Sequence, residues 1–335
     1  MKMKGKIISL VIILSLITIF LPYPSNDIAA TQSNKDYKVK LKDLTERGPI
    51  IITHDDDFSL YTTTGDGSAL APYLIDNFNI TSLVDAIAIS VSHTTKHFII
   101  KNCYLRPTTI GISLNNVTQD TAQIVDNTIE GIKVASGAGV YIKSTNSTLV
   151  ANNTYLNPEI NSNAFDIEYA HHTTIFNNTA VSITGLYQTR YLSVLRSTSV
   201  TVENNTGTYL DAGISFFEGN NAIIANNIFT DSGNTGISLY KCPNSIIDNN
   251  ILTNCGFISI ETHDSPSNIT NNEIFNNGMK ITGSDFSLLR LYRLENNKVN
   301  NKNFGFFVDT PDLTLDTGDY SQILAYNCSN MVIEN

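Results

Sequence analysis

Tryptophan is absent from this 335-residue chain and charge is scarce, with Lys, Arg, Asp and Glu together at 16% where a soluble domain usually has about 25%. The 21 basic residues are scattered and the formal net charge is −10. Nucleic-acid binding depends on neutralising phosphates with grouped Lys and Arg, so that class of partner is excluded. Cysteine is also rare. Cys103, Cys242, Cys255 and Cys328 show no CxxC and no metal-ligand spacing, and they read as isolated buried thiols rather than a disulfide framework. No window carries a 3.6-residue apolar period, which leaves helices without candidates.

Only one long apolar run exists. Lys2, Lys4 and Lys6 precede Ile7 to Leu21, and Pro22, Pro24, Ala29 and Ala30 follow. That is the layout of a signal peptide over residues 1–30, and the run is shorter than the ~20 residues of a membrane-spanning helix. The expected location is therefore secreted or at the cell surface, with membrane contact only through this segment or an unseen C-terminal anchor. Without residues 1–30, which carry three lysines and one aspartate, the net charge becomes −12.

What the chain has in excess is asparagine, at 40 positions. Much of it recurs in step. Apolar runs close on Asn at Asn77, Asn102, Asn127, Asn153, Asn178, Asn205, Asn227, Asn250, Asn272 and Asn297, at intervals of 22 to 27 residues. About a dozen residues upstream of several of these lies a second strand, often opened by Gly: GISL at 111, GVYI at 139, GISFF at 213 and GISLY at 236. Each period therefore holds a strand, a tight turn, a second strand, an Asn turn, a brief third strand and a variable loop. Strands stacked about 4.8 Å apart bring the same position of each coil onto itself, so the turn asparagines can exchange amide hydrogen bonds along the axis. The fold expected is all-β, a right-handed single-stranded parallel β-helix of about ten coils with an Asn ladder.

The repeated xNN turn, the upstream GI-x-L strand, and the stretch NKVNNKNFGFFVD followed by YSQILAYNCSNMVIEN resemble the parallel β-helix repeat proteins, the NosD-like and pectate-lyase-like class, over about residues 50 to 335. The stretch resembles a NosD-type coil with an insertion. The resemblance implies the fold, while the class hosts lyases, hydrolases, surface proteins and metal-delivery accessories, so function does not follow from it. Six His and four Met without a cluster speak against copper handling. Residues 31–48 read as a polar leader and 49–76 as a cap and first-coil lead-in, with Phe58, Tyr61, Tyr73 and Phe78 placed to plug that end. Repeats fill 77–335, and their phase predicts that the last residue falls inside a coil that continues.

With the Ile and Leu of GISLY inward, successive coils turn out Ser113 and Asn115, Tyr141 and Lys143, Asp166 and Glu168, Ser193 and Leu195, Ser215 and Phe217, Ser238 and Tyr240, then Ser259 and Glu261. Lys143, Asp166, Glu168, His171 and His172 fall within three coils, followed by Arg190 and Arg196. Carboxylates beside His and a basic group suit general acid and base steps on a glycosidic bond, or, as the resemblance to the lyases of this class implies, Ca²⁺ held against a uronic acid. The bland alternative is cross-strand ion pairs and a solvated turn. Phe217 and Tyr240 are placed to stack outside the coil, where they can hold sugar rings or pack on each other. Asp55, Asp56 and Asp57 suit a hard cation or a solvated cap turn. Eight Asn-x-Ser/Thr sequons occur, and those at Asn152, Asn177 and Asn204 arise from the turn repeat and are expected to be sterically closed.

The reading favoured is a non-enzymatic extracellular scaffold that binds a polysaccharide, a cell-surface glycan or a surface protein. A polysaccharide lyase or glycoside hydrolase is the first alternative and a NosD-like metal-delivery accessory the second. Beyond a possible Ca²⁺, no cofactor is indicated.

Overall fold

The computed structural model describes residues 17–20, 43–62, 64–81, 87–132, 137–156, 162–182 and 189–334. Three parallel sheets run the length of a β-solenoid. Ten long strands, from Ile50–Ile52 to Met279–Thr282, form one sheet. Ten short strands leading into the Asn turn, from Tyr73–Asp76 to Arg293–Glu295, form the second. The third holds the strands after that turn, from Thr45–Glu46 to Lys298–Val299, and takes three further strands at its end. Thr45 pairs with Phe78, so the solenoid begins slightly before the expected boundary at 49. Of residues 1–30, expected to be a signal peptide, only Ile17–Phe20 falls among the described residues; it pairs antiparallel with Tyr320–Tyr326.

The corners dictate the composition. Each Asn turn has a residue at positive φ, among them Asn152, Asn177, Asn204, Asn226, Asn249 and Asn271, a conformation that Asn tolerates better than other side-chain-bearing residues. The following Asn turns inward. Asn127, Asn153, Asn178, Asn205, Asn227, Asn250, Asn272 and Asn297 are all buried. In the ladder they form, each Oδ1 from Asn153 onward accepts from the backbone N–H and Nδ2 of the preceding Asn, as between Asn205 and Asn227 at 3.0 and 2.9 Å. Each Nδ2 also donates to a carbonyl of the preceding coil, as Asn227 does to Val202 at 2.8 Å.

Asn77 and Asn102 correct the expected series. Both have positive φ and are exposed, so they occupy the outer corner rather than the ladder. The inward position of the second of these coils is Cys103, whose N–H donates to Asn127 Oδ1 at 3.0 Å and whose Sγ faces the Lys101 carbonyl at 3.2 Å. Phe78 N–H bonds this thiol, and burial pushes its pKa up to about 12. Cys103→Asn is therefore expected to keep or raise the unfolding midpoint, by about 1 kcal/mol at most, whereas Cys103→Leu lowers it; parallel urea titrations check the order.

A second internal ladder escaped the sequence reading, because its members differ in type. Val117 N–H donates to Thr145 Oγ1, Ala170 N–H to Ser197 Oγ, Gly219 N–H to Cys242 Sγ and Cys242 N–H to Ser265 Oγ. Hydroxyls and a thiol thus do at the corner after the long strand what Asn does at the other. Three of the four free cysteines are buried, as isolated thiols should be.

Phe58 is fully buried and stacks on Tyr73 at 4.7 Å, while Arg47 lies 4.9 Å from the ring centroids of both Tyr61 and Phe78. Tyr61, Tyr73 and Phe78 pack against the core that Phe58 belongs to. Helical turns among the described residues include the short α-turn Phe286–Leu289 and the 3₁₀ turn Asp55–Leu60. At the other end the chain reverses. Asn300 and Asn301 both have positive φ, the requirement of a two-residue type I′ hairpin, and Val299 pairs antiparallel with Lys302. The stretch expected to be a coil with an insertion is this reversal, followed by Lys302–Val308 pairing parallel with Tyr320–Tyr326.

Candidate functional site

The outer face of the long-strand sheet carries two columns whose members stack in register. One runs Tyr141, Asp166, Ser193, Ser215, Ser238, Glu261, Lys280. Beside it run Lys143, Glu168, Leu195, Phe217, Tyr240, His263 and Thr282. Ser259 is thereby corrected: it is fully buried, and the outward pair of that coil is Glu261 and His263. The sequence misled because ISIETH lacks the Gly that sets the phase of GISLY.

At one end the columns bring together Lys143, Asp166 and Glu168. Glu168 Oε2 accepts from Tyr141 Oη at 3.0 Å and pairs with Lys143 Nζ at 3.3 Å, and this bond holds the Lys143 ammonium above its usual pKa. Burial raises the Tyr141 phenol, with Glu168 adding to it. Asp166 is raised chiefly by burial and further by the Glu168 charge, against hydrogen bonds from Asn163 and Ser193 and the attraction of Arg190. Asp211 is likewise raised by burial and drawn back by Arg190. The sequence reading missed Asp211 and Asn163, which precede or open their long strands and carry no motif; only their position beside Arg190 signals them.

His171 and Arg196 lie at the adjoining corner rather than on this face. His171 Nδ1 accepts from Thr198 N–H at 3.1 Å and meets Thr198 Oγ1 at 2.9 Å. Arg196 has positive φ and donates to Glu218 Oε2 and Tyr169 Oη, both at 2.8 Å. A proton relay from Asp166 or Glu168 through either residue is therefore not assembled in this arrangement.

Farther along, Phe217 and Tyr240 stack with ring centroids 4.8 Å apart and planes 3° from parallel. His263, not anticipated, extends the stack at 5.1 Å and 17°. Because the rings pile along the solenoid axis, their inner faces cover one another and their edges point outward. The lane thus presents ring edges on one side and the hydroxyls of Ser193, Ser215 and Ser238 on the other.

In the cap, Asp55 accepts from Thr94 Oγ1 and from Thr95 N–H and Oγ1 at 2.6 to 2.8 Å. Asp57 instead accepts from Thr53 N–H and meets His54 Nδ1, and Asp56 contributes its carbonyl to Ser59. These carboxylates serve separate local bonds. Among the described residues no group of three or more His, Cys, Asp or Glu side chains is arranged to hold a metal ion. The asparagines of the corner sequons, Asn152, Asn177 and Asn204, are exposed, and Asn177 Nδ2 donates to Asn152 Oδ1 at 2.7 Å.

The family model for a right-handed β-helix region matches residues 190–314. Solved structures with this likeness include a complex of XylC with xylose, at 14% identity and TM-score 0.41, covering 61% of this chain and 38% of that one. Another is the A-module of the Azotobacter vinelandii mannuronan C-5 epimerase AlgE6, at 12% identity and TM-score 0.42, covering 88% and 79%. The Streptococcus pneumoniae surface protein and adhesin PfbA is similar at 10% identity and TM-score 0.41, covering 79% and 89%. No curated protein matches the sequence. With the family model matching the coils that carry the outer lane and three parallel sheets stacked along the axis, the fold of the chain is a right-handed parallel β-helix.

Proposed function

We propose that this chain is an extracellular or cell-surface rod that binds a polysaccharide along the outer face of its long-strand sheet, without chemistry of its own. The observation that carries the reading is the paired lane, hydroxyls at Ser193, Ser215 and Ser238 beside Leu195, Phe217, Tyr240 and His263. Its repeat is one coil, about 4.8 Å, close to the advance of one pyranose in an extended chain, so successive sugars meet equivalent groups. Apolar edges facing fixed hydroxyls match the mixed surface of a sugar ring. Lys2, Lys4, Lys6 and the apolar run behind them support export; cleavage near Ala30 takes Ile17–Phe20 away from the edge of Tyr320–Tyr326.

Affinity electrophoresis through gels containing single polysaccharides tests the reading. Retardation by at least one polymer, reduced in Ser215→Arg and Tyr240→Ala, is expected. A chain that no polymer retards would overturn it.

A second reading, glycosidic-bond cleavage at Asp166 and Glu168, is favoured by their placement: burial holds Asp166 protonated to a higher pH, beside a Glu168 paired with Lys143. Reducing-sugar release or unsaturated-product absorbance that disappears in Asp166→Ala and Glu168→Ala would establish it. Stability gives an independent check. Because the folded state raises the Asp166 pKa, it binds that proton more tightly than the unfolded chain, and ionised Asp166 costs stability above its folded pKa. Asp166→Asn is thus expected to raise the unfolding midpoint at neutral pH, with the gain shrinking as pH falls through the raised pKa. An unchanged or lower midpoint at pH 7 would contradict this assignment.

A further inference from the structure

Among the described residues, the Phe257 ring is stacked on no other ring. Phe257, in the turn just before the strand Ile258–His263, is 61% exposed, unlike the piled rings of the lane. Its backbone N–H donates to the Asn234 carbonyl at 3.0 Å, which fixes the turn that presents it. Lys280 Nζ lies 5.8 Å from its ring centroid and, at 2.7 Å, pairs with Glu261 Oε1 on the outer face of the same sheet. An exposed aromatic ring with an ammonium over one face, and the carboxylate paired with that ammonium, thus converge at the end of the serine column, where Glu261 stacks on Ser238.

We infer that Phe257, Glu261 and Lys280 form a subsite for one uncharged pyranose unit, and that the polymer bound along the lane is a neutral polysaccharide. This rests on the polysaccharide-binding reading above. The aromatic ring offers a surface to the C–H face of a sugar, and the ion pair offers a fixed acceptor and donor to its hydroxyls. Charge decides the class. Glu261 and Lys280 neutralise each other, so within this subsite a uronate carboxylate finds no unpaired ammonium and an amino-sugar ammonium no unpaired carboxylate. The chain's net charge of −10 adds long-range repulsion for polyanions.

The test uses affinity electrophoresis of the full chain against soluble neutral glucans, mannans, galactans and xylans, with polygalacturonate and chitosan as charged arms. The wild-type chain is expected to be retarded by a neutral polymer and by neither charged one. Phe257→Ala should weaken that binding about fivefold to tenfold, the scale of one aromatic contact, with Phe257→Trp retaining it. Glu261→Gln, which leaves Lys280 uncompensated, should gain retardation by polygalacturonate. Circular dichroism and thermal melts confirm that each variant is folded, as an exposed ring and a surface pair allow. Neutral-polymer binding that is lost in Tyr240→Ala but unchanged in Phe257→Ala would overturn the subsite and leave the lane standing. Wild-type preference for polygalacturonate or chitosan would overturn the neutral class, and retention by no polymer at all would overturn the underlying reading as well.

Discussion

Asn227→Leu is expected to destabilise the protein by about 4 kcal/mol, since it strands several buried groups at roughly 1 to 3 kcal/mol each. Asn227 is fully buried. Its loss leaves the Val202 carbonyl without the 2.8 Å donor it has now, Asn205 N–H without its acceptor, and Asn205 Nδ2 with only the Ile175 carbonyl. Asn250 Oδ1 loses one of its two donors. Leu fills similar volume but offers none of these atoms a partner, and water cannot reach them. Asn297→Leu should cost less, because its Nδ2 makes a single bond, to the Ile269 carbonyl. Asn115→Leu, exposed at the end of a long strand, should leave the midpoint unchanged. In a solenoid each coil contacts chiefly its neighbours, so the damage is local first: amide exchange should accelerate around Asn205, Asn227 and Asn250 before the terminal coils respond. Equal melting curves for Asn227→Leu and Asn115→Leu would remove the ladder from any role in stability.

The Asn repeat was legible because one residue type answers one physical demand at a fixed period. Where the chain meets the same demand with other atoms, the sequence hides it. Cys103 stands in the ladder position without being Asn, and Thr145, Ser197, Cys242 and Ser265 share a corner with no common letter. Phase errors have a related cause. Asn77 and Asn102 are the first residue of their turns, whereas Asn127 is the second, with Asp126 taking the positive-φ corner, so a series built on the last Asn of each run mixes two positions. On the outer face, register alone gave Lys143 against Glu168 and Phe217 against Tyr240. It did not reveal that the rings turn their edges outward, nor that Phe257, one residue before a strand, would stand exposed outside the stack. Those depend on side-chain direction and turn geometry, which no spacing rule records.

Tyr191→Ala is the second large effect expected, a loss of about 3 to 5 kcal/mol, the range for truncating a buried aromatic to Ala. Tyr191 is fully buried, with Phe165 at 5.2 Å and Phe229 at 5.1 Å between ring centroids. Small neighbours make room in this part of the core: a Cβ at Gly207 would lie 2.5 Å from the Phe229 ring, and one at Gly213 only 2.2 Å from the Gly236 carbonyl. Closing the cavity would require moving backbone, so little collapse is available to lessen the cost. Tyr191→Phe should recover nearly all the stability, because the hydroxyl makes only a 3.4 Å contact with the Asn178 carbonyl. The effect should also reach the outer face. Tyr191 belongs to the strand Arg190–Leu195, whose other side presents Ser193 and Leu195 at the junction between the charged cluster and the aromatic lane. Loosening that strand below its melting temperature should weaken polysaccharide retardation in Tyr191→Ala and leave it intact in Tyr191→Phe. If the two variants melt together, the packing of Tyr191 between Phe165 and Phe229 does not hold this coil.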